Sequence, residues 1–252
     1  MSAALESLIW LVAVTLLMLL LKRWVHRHVQ GVGLLLTGDP DFTFVLYSLL
    51  LLPGTFLHET AHYLMAVLLG VRVRKFSLMP ARQPRGLLRL GFVEIERTDN
   101  WREALIGVAP LLLGSVAVLF VASFGLSAQT PQRTLTAQLS ALLNNLPNAL
   151  NADYFWLLLY LIFAISNGML PSESDRQAWK PVVIWLGIVS VLVYLSGVVQ
   201  RVPDQIDQGV ALLVSWLVRA FVLACVVDIF CIPLIWLVEK LLETLTRRSV
   251  RY

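Results

Sequence analysis

Long apolar runs separated by short polar stretches set the pattern of this chain. A helix needs about 20 apolar residues to cross roughly 30 Å of hydrocarbon. Six runs meet or approach that length, at about 4–21, 42–70, 104–126, 154–170, 181–199 and 209–238. The first lacks a basic start and a small-residue cleavage site and carries Glu6, so it reads as a retained anchor. The period changes in 71–103. Residues 71–79 and 91–96 alternate apolar with charged positions, with Pro80 and Pro84 between them, which predicts an antiparallel hairpin. The expected fold class is an all-α polytopic membrane protein of six transmembrane helices, with a small cytoplasmic β-hairpin between spans two and three. Its expected parts are an N-terminal anchor span with a connecting loop over 1–41, a three-span catalytic core with the hairpin over 42–180, and two accessory spans with a basic cytoplasmic tail over 181–252.

Composition agrees with the pattern. Of 252 residues, 58% are apolar and only 14% charged, outside the range of soluble domains and of disordered chains. Two cysteines, Cys225 and Cys231, build neither a disulfide framework nor a cysteine-based zinc site. The net charge of +4 flanks apolar segments, which points to membrane anchoring and not to nucleic acid. With six alternating spans, 14 of the 20 Lys and Arg fall on the side of the 71–103 loop and 5 on the other, with Arg219 inside the membrane. That places both termini in the cytoplasm of a multi-pass protein of the plasma membrane.

The candidate chemistry lies in the second span. His58-Glu59-Thr60-Ala61-His62 is an H-E-x-x-H. On a helix, the two histidines stand one turn apart on one face and can reach a single zinc ion at about 2.0–2.1 Å. Glu59 is angled away from the metal but can take a proton from a metal-bound water. Ionisable side chains near mid-bilayer cost about 2.5–3.5 kcal/mol each on insertion scales unless they face a partner or cavity. One cation compensates all three. Catalytic zinc usually has three protein ligands. His26 and His28 are the only other histidines, and the charge tally puts them across the membrane from the loop after the motif. The third ligand is therefore expected to be a carboxylate from another span. The fourth span ends Ser166-Asn167-Gly168-Met169-Leu170-Pro171-Ser172-Glu173-Ser174-Asp175, where Pro171 breaks the helix and Glu173 and Asp175 are the available carboxylates.

An H-E-x-x-H in the second of six spans, with an Asn…Pro…Asp segment closing the fourth, resembles the site-2 protease family of intramembrane zinc metalloproteases, in its six-span branch. The resemblance covers about 42–175. It implies that His58, His62 and Asp175 bind Zn2+, that Glu59 is the general base, and that Asn167, eight residues before Asp175, helps hold substrate or the oxyanion. It also implies hydrolysis of a peptide bond in or near the transmembrane segment of a single-span membrane protein, with the hairpin holding the unwound substrate and another membrane protein as possible regulator. This chain departs from the family pattern in three places: Pro171 is one position late, Ser174 and Arg176 replace Leu and Gly around Asp175, and span three reads Gly107-Val108-Ala109-Pro110. The rival readings are a zinc-binding membrane scaffold without activity, and a prenyl-protein-type protease using Glu173, Glu239 or Glu243. A transporter built around Arg219 and Asp228 is the third. Those two charges, nine residues apart, stand on opposite helix faces.

Overall fold

The punctuation of the chain is local and readable. Gly38, with φ of +69°, closes the first helix by donating its N–H to the carbonyl of Leu34 at 2.8 Å. Asp39 caps the next helix, accepting from the amide of Asp41 at 2.7 Å, and Pro40 takes its first position. The computed structural model describes residues 3–78, 81–82, 88–89, 91–124, 140, 144, 147, 150–151, 154–172, 174–177, 179–182, 184–185, 188 and 204–250. Its elements are α1 (Ala3–Thr37), α2 (Pro40–Leu50), α3 (Leu52–Leu68), β1 (Val73–Ser77), β2 (Ala81–Arg82), β3 (Leu88–Arg89), β4 (Phe92–Ile95), α4 (Asn100–Ser123), α5 (Phe155–Met169) and α6 (Asp204–Thr246).

Three helices, α1, α4 and α6, are long and apolar enough to cross a membrane, and the α2–α3 pair makes a fourth if it counts as one broken span. The expected second span is thus two helices bent by 72°. Pro53 supplies the cause, since it cannot donate to the preceding turn and its ring crowds that turn. α5 has 15 residues, shorter than a straight crossing needs. The expected fifth span, 181–199, lies mostly outside the described residues. The expected end of the first span at about residue 21 is not a helix end. No proline interrupts the chain before Pro40, and α1 continues through Lys22 and His26 to Thr37. Leu20, Leu68, Phe120 and Leu213 are all more than 60% exposed, an apolar surface suited to lipid.

α1 and α6 are the most closely associated helices, and they run parallel. Val14 meets Cys225, His28 meets Glu239, and Gly38 meets Arg248. Alternating six-span topology would set the first and last spans antiparallel. Val14 and Met18 of α1 join Val118 of α4, Ile162 and Met169 of α5 and Phe221 to Cys225 of α6 in one apolar core.

The hairpin is present. β1 pairs antiparallel with β4, Phe76 opposite Val93 and Ser77 opposite Phe92, with an irregularity between Val73 and Lys75. β2 and β3 add a short second ladder. α3 passes into β1 through a complete Schellman cap. Gly70, at φ +68°, donates to Val67 at 3.0 Å, Val71 donates to Ala66 at 2.8 Å, and Val71 packs with Ala66 and Ile106.

Candidate metal centre

Glycines let the three helices that carry the site approach closely. A Cβ on Gly54 of α3 would overlap the Ala164 carbonyl of α5, and one on Gly168 would lie 2.7 Å from the backbone of Gly54. On α4, Cβ atoms at Gly107 and Gly114 would overlap the backbone of Asp175 and the side chain of Met169. Backbone-to-backbone contact of this kind is how helices pack at short range in a membrane.

His58 and His62 are each fixed by a carbonyl that another sequence feature has left free. Pro110 lacks an N–H, so the carbonyl of Ile106, four residues earlier, loses its helical donor. His62 Nδ1 donates to that carbonyl at 2.8 Å. Pro171 disfavours helix at Leu170, which is extended with ψ of 134°, and α5 stops there. His58 Nδ1 donates to the exposed end of the helix at the Gly168 carbonyl, also at 2.8 Å. Carbonyl oxygens only accept, so both protons sit on Nδ1 and both Nε2 atoms offer lone pairs.

Those two Nε2 atoms lie 3.1 Å apart. The Asp175 carboxylate faces them at 3.4 Å from His58 and 3.3 Å from His62. Asp175 is held in turn by Ser172, whose amide donates to its Oδ2 at 2.7 Å and whose hydroxyl accepts from its amide at 3.3 Å, the reciprocal pairing of a capping box. Three groups that can only accept thus converge with no donor among them, an arrangement that repels itself unless a proton or cation lies inside. A tetrahedral zinc site with bonds of about 2.0–2.1 Å has ligand-to-ligand edges of about 3.3–3.4 Å. The donor set and its spacing fit a zinc ion. Among the described residues this is the group of His, Cys, Asp and Glu whose ligand atoms all lie within 4.8 Å of one another.

A cleft of about 300 Å³ adjoins the triad, lined by Glu59, His58, Asn167, Gly91, Lys22 and His26 among others. Glu59 is 6% exposed. Gly91, directly before β4, sits against it, and a Cβ there would come within 2.9 Å of the Glu59 Cγ. The hairpin therefore reaches the cleft at a residue without a side chain.

Asn167 occupies this wall with a specific polarity. Its Nδ2 donates to the Phe163 carbonyl at 3.0 Å and to Asp228 Oδ1 at 2.8 Å. Both amide hydrogens are committed, and its Oδ1 is buried without a hydrogen-bond partner among the described residues. Asn167 thus commits its donors to the protein and lines the cleft wall beside the ligands. Asp228 pairs with Asn167 and not with Arg219, which lies over the Trp216 ring.

Sequence reading missed the α1 side of the cleft. Lys22 and His26 line it, where the charge tally had put His26 on the far membrane face with His28. His28 stacks on Trp24 and faces Glu239 at 3.9 Å, while Glu243 pairs with Lys240 at 2.6 Å. Neither glutamate joins the histidine pair. Glu173 lies outside the described residues. A lysine four residues before a histidine, on one face of an apolar helix, was the available signal for a polar lining. The Ser172-to-Asp175 spacing was the signal for a held carboxylate. No protein-family model, curated protein or solved structure matches the chain.

Proposed function

We propose that this chain is an intramembrane zinc metalloprotease that hydrolyses a peptide bond in or near a transmembrane segment of another membrane protein. One observation carries the reading: two imidazole lone pairs from α3 and a carboxylate from the turn after α5 converge 3.1–3.4 Å apart beside a cleft that also holds Glu59. A zinc ion bound there would lower the pKa of water toward 7 and polarise a scissile carbonyl. Glu59 takes the proton of the attacking water and returns it to the leaving amine nitrogen. The carbonyls of Ile106 and Gly168 hold the two imidazoles in the tautomer that leaves Nε2 bare. A helical substrate hides its carbonyls in its own hydrogen bonds and must unwind before cleavage, and the β1–β4 hairpin beside Glu59 offers a strand for main-chain pairing.

Orientation follows from the parallel pairing of α1 and α6. Two parallel crossings begin on one face and end on the other, so the N-terminus and the basic tail lie on opposite sides of the membrane. This replaces the expectation of two cytoplasmic termini. Let the tail be cytoplasmic, let 181–199 cross, and let the bent α2–α3 pair enter and return on the cytoplasmic side. Then 17 of the 20 Lys and Arg are cytoplasmic, and only Arg133 and Arg201 lie outside, with Arg219 in the membrane. That partition is sharper than the 14 to 5 of six alternating spans. In a variant without Cys225 and Cys231, a cysteine at Ser2 should react with an impermeant maleimide in intact cells, and one at Ser249 only after lysis.

The decisive test of function is zinc content and cleavage in purified wild type and Glu59→Gln. Stoichiometric zinc in both, with cleavage in the wild type alone, is expected. Zinc in both with cleavage in neither would leave the scaffold reading, and cleavage by Glu59→Gln would remove Glu59 from the mechanism.

A further inference from the structure

Midway along α1 the polar side chains come in two consecutive pairs, Lys22-Arg23 and His26-Arg27. Arg23 and Arg27 are exposed and suit an anchor at the membrane interface. Lys22 and His26, one helical turn apart, turn inward and line the cleft beside the metal ligands. His26 is taken up by its bond to the Tyr47 hydroxyl, and its Nε2 is sealed from solvent. Lys22 differs on both counts. Its ammonium makes no hydrogen bond or ion pair among the described residues, and it is not one of their sealed, unpartnered atoms. Two nearby carboxylates are engaged elsewhere: Asp228 accepts from Asn167, and Asp175 faces the two imidazoles. An ionisable side chain turned into a cavity of a membrane protein calls for a partner that the cavity receives.

The nature of that partner follows from charge. With zinc bound, the ion and Lys22 supply three positive charges against the two carboxylates Asp175 and Glu59, so one positive charge is left over. In a cleft of low dielectric that surplus favours an anion on the incoming chain. An unmodified peptide has one kind of stable anion, the carboxylate, carried by Asp and Glu side chains or by the C-terminus. We infer that Lys22 is a specificity-determining residue, a subsite that holds a carboxylate of the substrate chain beside the scissile bond. Lysine is a compact point charge on a flexible stem, so it can follow a side-chain or a terminal carboxylate. The contact is made alike in the bound substrate and in the transition state, so it selects through KM and not through kcat. The subsite rests on the peptidase reading above.

The test uses zinc-loaded full-length protein in detergent and a library of synthetic peptides, each made as the free acid and as the C-terminal amide, with products identified by mass spectrometry. Absence of cleavage by the wild type, or cleavage by Glu59→Gln, would sink the peptidase reading itself, and the subsite would then stand or fall on binding. With that control passed, enrichment of Asp or Glu at a fixed distance from the cut identifies a side-chain carboxylate. A preference for the free acid over the amide identifies the chain end. Neither preference in the wild type would overturn the proposal. Lys22→Met should keep its zinc, raise KM for the preferred peptides by about 10- to 100-fold and lose the preference. Lys22→Arg should retain the preference, and Lys22→Glu should turn it toward peptides with Lys or Arg at that position. A loss in Lys22→Met that falls on kcat, or equally on acidic and neutral peptides, would overturn the assignment. Binding is read separately by fluorescence anisotropy on zinc-loaded Glu59→Gln, with a dansyl-labelled apolar hexapeptide amide carrying one Glu and with its Gln counterpart. The Glu peptide should bind about tenfold more tightly, and adding Lys22→Met should make the two equal. Equal affinities before Lys22 is replaced, or a difference that survives its replacement, overturns the proposal whatever the activity.

Discussion

The polar groups around the cleft fall into two sets that handle burial differently. In His58, His62 and Asp175, every atom facing the others is an acceptor, and the donors of the imidazoles are turned outward to Ile106 and Gly168. In the neighbouring set, donors and acceptors alternate: Tyr47 bonds His26, and Asn167 donates to Asp228. Sets of the second kind pair donors with acceptors and so hold no mutual repulsion, although His26 Nε2 and Asn167 Oδ1 stay without a hydrogen bond among the described residues. The first kind is incomplete by its chemistry. Its self-repulsion marks where a cation belongs more sharply than the presence of histidine does.

If that contrast is right, the two sets should respond differently to the same insult. The largest effect is expected at Asp175. Asp175→Ala should abolish zinc retention and all cleavage, and a chelator should then lower the melting temperature of the wild type but not of the variant. Retained stoichiometric zinc in Asp175→Ala would end the comparison. Asp228→Leu should do the reverse. It strands a buried amide hydrogen of Asn167, costs about 1–3 kcal/mol of stability by denaturant unfolding, and leaves zinc stoichiometry intact.

Smaller effects probe the supports. Pro110→Ala returns an N–H to α4 that competes with His62 for the Ile106 carbonyl. Zinc affinity should fall about tenfold, at the lower end of what second-sphere losses produce, with no loss of global stability. An unchanged affinity in a zinc titration would show that the carbonyl does not orient His62. The smallest effect belongs to Asp99, far from both sets, whose carboxyl is held below its ordinary range chiefly by the amide of Arg102. A lowered carboxyl contributes its stabilisation in full above the unfolded value and loses it as pH falls. The melting temperature should therefore drop between about pH 5 and 3 in the wild type, and Asp99→Asn, which still caps, should flatten that limb.

Much of the site was legible along the chain because its spacing is local. His58 and His62 share a face by helical geometry alone, Pro171 stops α5 by sterics, and Gly70 closes α3 by its freedom at positive φ. The hairpin was legible from its period. The bend at Pro53 was also written in the sequence, yet continuous hydropathy across 42–70 masked it, since hydropathy reports burial and not axis direction. The length of α1 was misjudged for a related reason. Lys22 and Arg23 read as the end of a span, but charge sets where a membrane surface lies and does not unwind a helix.

Which short segments bend, stop and turn, and which two imidazoles share a face, follow from bond geometry within a few residues and so can be read along the chain. Tertiary structure alone decided which carbonyls receive the imidazole protons, 44 and 110 residues away. It alone decided that α1 and α6 run parallel at an offset of 211 residues and that His26 faces the cleft. Contacts over such separations are set by how whole helices pack through glycines and apolar faces, and no local spacing encodes that choice.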